Sequence, residues 1–199
     1  MTQPAGTQAP VEIRAIAVIG AGVAGRSFAL ACAAAGFEVV LEDVMPANLR
    51  RAEEAFADLQ PGPAKGRLDF ALTVEDAVRE ADIAVDFVPD ELESKLEIFS
   101  MVDRMAPPKT ILCTPSDALS ITDLASCVYR PERCFALRGG FPGRASEADS
   151  AVRLLFPASA DAGALAAAEE FLRSLQMKVQ REPDPDVPVL MKNQTQATL

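Results

Sequence analysis

The sequence contains no histidine and no tryptophan, and it has a single tyrosine. Histidine is the side chain that most readily changes protonation near neutrality, and it is the commonest metal ligand. A chain without it has no imidazole to serve as general base, pH switch or metal ligand. The absence therefore excludes every mechanism that needs a catalytic histidine from this chain, and no other group of side chains predicts a metal site.

Basic residues are also scarce. The 199 residues include 19 lysines and arginines against 29 aspartates and glutamates, which gives a net charge of -10. A protein that binds a nucleic-acid backbone needs a positive surface. The composition therefore argues against nucleic acid as a partner. The length and the 49% hydrophobic content are sufficient for one domain with its own core.

Long apolar runs and paired cysteines are missing as well. The longest apolar stretch, 28–36, is far shorter than the roughly 20 residues of a membrane-spanning helix, and residues 1–10 do not resemble a secretory signal. These features, with no regular cysteine framework, predict a soluble protein of the reducing cytoplasm without a membrane partner. The cysteines are Cys32, Cys113, Cys127 and Cys134.

Short apolar runs alternate along the chain with segments that favour helix, and both kinds are bounded by glycine, proline or capping residues. Buried strands are predicted over 13–19, 37–41, 68–72, 83–88, 110–113, 134–137, 151–156 and 177–180. Helices are predicted over 23–35, 46–59, 73–80 and 90–105, from 120 onward, and over 161–176.

This alternation predicts an α/β fold, a mostly parallel, doubly wound sheet of the Rossmann type in a single domain. The domain is predicted to span 12–182. Residues 1–11 are predicted to be a disordered tail, and 183–199 a proline-rich linker with a polar tail.

A glycine-rich segment stands where the first predicted strand meets the first predicted helix, and it matches the pattern G-x-G-x-x-G. In that pattern the first glycine allows a tight turn, the second lets the main chain approach a pyrophosphate, and the third lets helix and strand pack closely. The segment predicts a dinucleotide site; the alternative is a turn that serves close packing alone. Its residues are Gly20, Ala21, Gly22, Val23, Ala24 and Gly25.

An acidic residue ends the second predicted strand. Asp43 lies 18 residues after Gly25, near the spacing of a carboxylate that accepts ribose hydroxyl groups. Its charge would repel a 2′-phosphate, and the nearest arginines, Arg50 and Arg51, are a helical turn or more away. The sequence therefore predicts NAD rather than NADP as the cofactor.

Six segments carry a more specific pattern. They are 17–25, 39–43, 88–96, 106–112, 119–125 and 130–133. Through them the chain, from about Ile13 to Val179, resembles the N-terminal NAD-binding domain of the 3-hydroxyacyl-CoA dehydrogenases of fatty acid metabolism. The resemblance implies NAD-dependent oxidation of a 3-hydroxyacyl thioester, in which a histidine, oriented by a glutamate, removes the hydroxyl proton.

The resemblance also implies two further cofactor contacts. In the family an acidic residue and a lysine after the fourth strand contact the cofactor, and they correspond here to Asp90 and Lys95. The alternative from the residues themselves is that Asp90 caps the following helix together with Glu93, and that Lys95 is a solvated helix residue.

The chain departs from the family at the chemistry. Arg138 stands where the resemblance places the catalytic histidine, and Asp117 where it places a serine that contacts the substrate oxygen. The orienting glutamate falls at Ser150, unless a shifted loop brings Glu147 or Asp149 there. An arginine stays protonated and cannot accept a proton, whereas general-base catalysis contributes about 10² to 10⁴ in rate. We therefore assign no catalytic residue.

Three interpretations of the altered site remain open. Asp117 and Arg138 form a salt bridge that closes the site, or Arg138 is a fixed cation for a carboxylate or phosphate ligand, or the two residues lie on independent surface loops. The second interpretation predicts acyl-CoA or a small anion as a partner beside NAD(H).

The function predicted from the sequence is that of an NAD(H)-binding Rossmann protein without standard dehydrogenase activity, a binding or regulatory module. One alternative is an oxidoreductase acting on 3-hydroxyacyl-CoA or a related hydroxy acid with help from a partner chain. Another is a structural protein with a vestigial nucleotide site. The family's C-terminal helical domain has no counterpart after residue 190, and the apolar surface left uncovered predicts a homo-oligomer.

Overall fold

The computed structural model describes residues 12–59, 66–140 and 151–185. The predicted tail 1–11, and the linker and tail from residue 186 onward, lie outside the described residues. The described strands are β1 (Ala15–Ile19), β2 (Glu38–Glu42), β3 (Arg67–Ala71), β4 (Ile83–Asp86), β5 (Ile111–Pro115), β6 (Cys134–Arg138), β7 (Val152–Phe156) and β8 (Val179–Pro183). The helices are α1 (Val23–Ala34), α2 (Pro46–Asp58), α3 (Val74–Val78), α4 (Leu92–Met105), α5 (Ile121–Ala125) and α6 (Ala162–Ser174), with a 3-10 turn at Pro131–Arg133.

The strands form one sheet in the order β3-β2-β1-β4-β5-β6-β7-β8. Neighbouring strands are parallel except β6 and β7, which are antiparallel. The first six strands thus follow the 3-2-1-4-5-6 order of a dinucleotide-binding sheet. The predicted fold class, a mostly parallel and doubly wound α/β sheet, is confirmed.

Two apolar cores, one on each face of the sheet, follow from the alternation of side chains along the central strands. In β1, Ile16 and Val18 pack on one face with α1, α2 and α6, whereas Ala17 and Ile19 pack on the other with α3, α4 and α5. Because both faces are covered, the central strands are apolar on both sides, as parallel strands require.

Several predicted helix starts are confirmed by capping hydrogen bonds. The side chains of Thr73, Ser120 and Asp161 each accept a hydrogen bond from the main-chain N–H three residues later. Pro46 occupies the first turn of α2, where its missing N–H costs nothing. These caps satisfy N–H groups that the helix itself leaves without partners.

Two predicted details are wrong. Asp90 and Glu93 do not cap α4: Glu91 is the N-cap residue and its side chain makes no capping bond. The last strand covers 179–183 rather than 177–180, because the N–H of Met177 bonds to the carbonyl of Leu172 in the turn that ends α6.

The residue after β8 anchors the described end of the chain to the start of α5. Asp184 accepts hydrogen bonds from the hydroxyl of Ser120 (2.8 Å) and from the N–H of Thr122 (2.7 Å). The first residues of the predicted linker are therefore part of the folded structure.

The order of the strands fixes where a ligand can approach. Strand β1 lies between β2 and β4, and the chain winds outward from β1 in both directions. In such sheets the crevice forms beyond the carboxyl ends of the strands at this switch point. The carboxyl ends of β1, β2, β4, β5 and β6 lie along this edge, and Asp43, Asp90, Asp117 and Arg138 lie at or shortly after them.

Candidate functional site

The turn after β1 begins with a glycine in a conformation that other residues rarely adopt. Gly20 has φ +95°, and its N–H donates to the carbonyl of Glu42 at the end of β2 (2.8 Å). A Cβ at this position would also lie 3.2 Å from the carbonyl oxygen of Phe87. The first glycine therefore makes the tight turn that the sequence predicts.

The third glycine is required by packing. A Cβ at Gly25 would overlap the carbonyl oxygen of Gly20 and press on the Phe87 side chain. Helix α1 therefore lies directly on the turn that precedes it. A ligand is not needed to explain this glycine, and the packing-only alternative accounts for it equally well.

The second glycine is different. A Cβ at Gly22 would meet no atom within 4 Å, and Gly22 has an ordinary negative φ at the N-cap of α1. No side chain caps the helix there, and its first turn contains no acidic residue. The open side of Gly22 and the uncapped start of α1 fit a dinucleotide pyrophosphate, which binds to main-chain N–H groups and the positive end of the helix dipole.

Asp43 ties the glycine turn to the end of β2. Its buried carboxylate accepts hydrogen bonds from the N–H of Ala21 (2.8 Å), from the N–H of Met45 (2.8 Å) and from the side-chain amide of Asn48 (3.0 Å). A carboxylate has about four acceptor positions, so one is left for a ligand. Sequence reasoning gave Asp43 a ribose contact and missed its structural bonds, and it missed Asn48 altogether.

Glu42 is a second carboxyl group at the same place. Glu42 is the last residue of β2, directly before Asp43, and it is buried. Burial, and then the charge of Asp43, raise the pKa of Glu42 to about 6, while a hydrogen bond from the main chain of Gly20 lowers it. The sequence signal for this group was two consecutive acidic residues at the end of an apolar strand.

Large apolar side chains are exposed around this part of the edge. Val44 and Met45 follow β2, and Val23 begins α1. Leu72 follows β3, whose last residue, Ala71, accepts a hydrogen bond from the N–H of Asp43. Each is more than half exposed, with Val44 at 76%. A concentration of exposed apolar side chains is typical of a ligand-binding surface.

Asp90 joins two turns of the edge. Its carboxylate accepts a hydrogen bond from the main-chain N–H of Asp117 (2.9 Å). The turn after β4 is thereby linked to the turn after β5, and both residues are exposed. This bond replaces the capping role that the sequence offered as the alternative for Asp90.

Lys95 is fully buried, and the alternative of a solvated helix residue is therefore wrong. Its Nζ lies 2.6 Å from Oδ1 of Asp86, and the two side chains are 1% and 4% exposed. Lys95 lies on the face of α4 that also carries Phe99 and Val102 and that packs on the sheet. The cofactor contact implied by the family resemblance would require this pair to separate.

Asp86, which sequence reasoning missed, ends β4 beneath the edge. Burial raises the pKa of its carboxyl, and the Lys95 ammonium opposes the rise. Thr114 on the neighbouring strand and the main chain of Val88 also oppose the rise, although Oδ2 of Asp86 and the Thr114 hydroxyl are within hydrogen-bond geometry of no group among the described residues. A single acid inside the apolar run 83–88 was the available signal for a buried pair.

Arg138 ends β6, and its guanidinium is bound to main-chain carbonyl groups. Nε donates to the carbonyl of Ser116 (3.1 Å) and Nη2 to the carbonyl of Leu119 (2.8 Å). Within the described ranges there is no ion pair between Arg138 and Asp117. The predicted salt bridge is wrong, and so is the alternative of independent loops, because Arg138 itself holds the loop 116–119.

The turn at 116–119 explains why Arg138 reaches main-chain carbonyl groups. The hydroxyl of Ser116 accepts a hydrogen bond from the N–H of Leu119, which closes the loop so that two of its carbonyl groups reach the guanidinium.

Glu147, Asp149 and Ser150, the candidates for the orienting position, lie outside the described residues.

The described residues meet the requirements of neither a metal site nor a membrane-spanning helix. In the part of the chain that the structure describes, no group of three or more cysteines and carboxylates is arranged for a metal ion. The described helices are all too short or too polar to cross a bilayer. All four cysteines are free thiols, and burial raises the pKa of Cys32, Cys113 and Cys134.

Replacement of Lys95 tests the buried pair. Lys95→Met leaves the Asp86 charge buried without a counter-charge, and we expect the free energy of unfolding to fall by about 3–5 kcal/mol. In the double variant Asp86→Leu/Lys95→Met both charges are gone, and most of this loss should be recovered. Urea denaturation measures both effects. A double variant no more stable than Lys95→Met would contradict the pairing.

Glu42 predicts a pH dependence. Its pKa is about 6 in the folded protein and 4.5 ordinarily, so the folded state binds the proton more tightly than the unfolded chain. The wild type should therefore lose stability relative to Glu42→Gln as pH rises from about 4.5 to about 6, with no further change above that range. Chemical denaturation across this range measures the difference. Glu38→Gln, an exposed residue of the same strand, is the control, and a flat difference for Glu42→Gln would contradict the assignment.

The chain matches the sequence model of the family described as 3-hydroxyacyl-CoA dehydrogenase, NAD binding domain, over residues 15–138. It is 34% identical over 140 residues to a probable 3-hydroxybutyryl-CoA dehydrogenase of Bacillus subtilis, with 64% of this chain and 48% of the relative covered. It is 33% identical over 132 residues to an L-carnitine dehydrogenase of Burkholderia mallei, with 62% of this chain and 41% of the relative covered. The chain thus spans about half the length of these curated relatives, or less.

A solved structure has the same fold. The 3-hydroxyacyl-CoA dehydrogenase of Archaeoglobus fulgidus superposes with a TM-score of 0.72 at 27% identity, covering 94% of this chain and 60% of that one. The family match covers more than half of the chain, including the glycine turn, Asp43 and Arg138. NAD is accordingly the cofactor of this domain, and the chain belongs to the NAD-binding domain family of the 3-hydroxyacyl-CoA dehydrogenases.

Proposed function

We propose that this chain binds NAD(H) but does not by itself perform the dehydrogenase reaction of its family, and that it acts as a binding or regulatory module. The observation that carries the proposal is the state of Arg138. A guanidinium is not a base at neutral pH, and this one is bound to the carbonyl groups of Ser116 and Leu119. No group at this position can take the proton of an alcohol.

The residues that would hold NAD are those of the glycine turn and the end of β2. The pyrophosphate would lie against the open side of Gly22 at the start of α1, within the segment 20–25. The remaining acceptor position of Asp43 suits a ribose hydroxyl group, and its negative charge disfavours a 2′-phosphate. Bound NAD supplies a hydride acceptor, and bound NADH a hydride donor.

The adenine would lie among the exposed apolar side chains. Val44, Met45 and Leu72 surround the end of β2 and offer an apolar surface to a flat ring. Burying these side chains under a base removes apolar area from water and so favours binding. The exposed apolar surface at this position supports a dinucleotide over a smaller phosphate ligand.

Asp90 and Lys95 act differently in this proposal. Asp90 retains Oδ1, which has no partner among the described residues, and this oxygen is the proposed contact to the nicotinamide half. Lys95 makes no cofactor contact in this proposal. Its ion pair with Asp86 fixes α4 on the sheet, and α4 in turn fixes the preceding turn that carries Asp90. Self-association and a cytoplasmic location stay predictions.

Binding and turnover separate this function from its alternatives. We expect NADH to bind to the purified chain, seen as a change of NADH fluorescence, and no NADH to form when NAD and 3-hydroxybutyryl-CoA are supplied together. Robust NADH formation by the chain alone would contradict the proposal. Absence of NADH binding would instead favour the vestigial site.

The two glycines give a matched pair of variants. Gly22→Ala should fold, with a loss of no more than about 1 kcal/mol because alanine is a poor N-cap residue, yet bind NADH at least about tenfold more weakly because a methyl group occupies the pyrophosphate position. Gly25→Ala should lose about 2–3 kcal/mol of stability through overpacking. Urea denaturation and NADH titration measure both. Unchanged NADH affinity in Gly22→Ala would favour a turn used for packing alone.

A further inference from the structure

The guanidinium of Arg138 is hydrogen-bonded to described residues along only one of its edges. Of its five N–H donors, two are engaged, Nε by the carbonyl of Ser116 and one hydrogen of Nη2 by the carbonyl of Leu119. These two donors form one edge of the planar group. The other edge, formed by Nη1 and the second hydrogen of Nη2, has no partner in the described part of the chain.

The positive charge of Arg138 is also not neutralised by any acidic side chain among the described residues. Carbonyl oxygens satisfy hydrogen bonds but carry no net charge, and none of the ion pairs between described residues includes Arg138. Its register partner across β6 and β7 is a second arginine, Arg153. Arg153 pairs with Glu182 (3.4 Å), whereas no acidic partner of Arg138 is found in 12–59, 66–140 or 151–185. Like charges placed opposite each other on neighbouring strands destabilise the sheet unless they are neutralised.

Contacts connect Arg138 to the dinucleotide turn. Arg138 holds the loop 116–119, the N–H of Asp117 in that loop bonds to Asp90, and the turn containing Asp90 follows Phe87, which lies over Gly20. These contacts run along the carboxyl ends of β6, β5, β4 and β1. The free edge of the guanidinium therefore belongs to the same edge of the sheet as the cofactor turn.

We propose that Arg138 binds the carboxylate of a small oxo or hydroxy acid beside the bound dinucleotide. The inference rests on the proposed function, because NAD(H) forms the neighbouring part of the site. Two parallel N–H donors on a planar cation match the two oxygens of a carboxylate, and the two main-chain bonds hold the fork in place before the ligand arrives.

The same geometry disfavours an acyl thioester at this position. A thioester carbonyl is neutral and accepts hydrogen bonds without compensating the charge. A free carboxylate both fills the fork and neutralises the half-buried guanidinium. The substitution of arginine for the family's histidine thus changes the group recognised, from a neutral hydroxyl or carbonyl oxygen to an anion.

Titration of the NADH-loaded protein tests this proposal. The probe is acetoacetate, a small 3-oxo carboxylate, and binding is followed by calorimetry. We expect acetoacetate to bind, and its neutral methyl ester not to bind. Equal binding of acid and ester, or no binding of acetoacetate, would overturn the proposal. Inorganic phosphate is the third probe, and phosphate binding as tight as that of acetoacetate would overturn the choice of a carboxylate.

Variants assign the effect to Arg138. Arg138→Gln should weaken acetoacetate binding at least about tenfold, whereas Arg153→Gln, which removes the opposite arginine, should leave it unchanged. Unchanged binding in Arg138→Gln would overturn the proposal. Circular dichroism and thermal unfolding report whether each variant folds. If Arg138→Gln fails to fold, Arg138→Lys, which keeps the charge and loses the planar fork, should still weaken binding, and unchanged binding there would overturn the proposal.

Failure of the proposed function is distinguishable from failure of this inference. NADH titration of the wild type and of both glutamine variants reports dinucleotide binding separately. Arg153→Gln should bind NADH like the wild type, and acetoacetate binding to Arg138→Gln is measured at saturating NADH, because Arg138 holds the loop that contacts Asp90. A wild type that binds NADH and ignores acetoacetate would refute the carboxylate site alone.

Discussion

The contact between α1 and the turn after β1 is the constraint on which the rest of the site depends. Gly25 lies so close to the carbonyl of Gly20 that no side chain fits between them, and Asp43 fixes the same turn through the N–H of Ala21. Together these contacts fix the uncapped start of α1 at the carboxyl end of β1. The fixed turn leaves one side of Gly22 open, where we propose that the pyrophosphate lies.

An acidic protein that binds an anionic cofactor must limit negative charge near the phosphates. This chain has a net charge of -10 and buries Glu42 and Asp86 at the ends of the strands beside β1. Asp86 is paired with Lys95, and burial shifts the pKa of Glu42 upward to about 6. The first turn of α1 contains no acid. The positive end of the helix dipole thus faces the ligand without a carboxylate in that turn.

Arg138, at the carboxyl end of β6, has a different role from the residue that the family resemblance implies there. Where the family resemblance implies a base, Arg138 instead organises the loop 116–119 through two carbonyl groups. The loop keeps its connection to Asp90 through the N–H of Asp117. Bonds between side chains and the main chain therefore hold this end of the site together, with Arg138 at the position where the family resemblance implies a histidine.

The sequence by itself determined the sheet, the glycine turn and the position of Asp43, because apolar periodicity and glycine spacing are local signals that neighbouring residues carry. Three alternatives that it left open are wrong: Lys95 is not solvated, Asp90 does not cap α4, and Arg138 bonds to the carbonyl groups of Ser116 and Leu119 instead of pairing with Asp117. Each of them concerns a contact between different secondary-structure elements or turns. The family resemblance, which places Asp117 and Arg138 beside one substrate oxygen, suggested an ion pair where main-chain carbonyl groups lay nearer. Only the tertiary structure decided those partners, since burial and the closure of a loop determine which group a long charged side chain reaches.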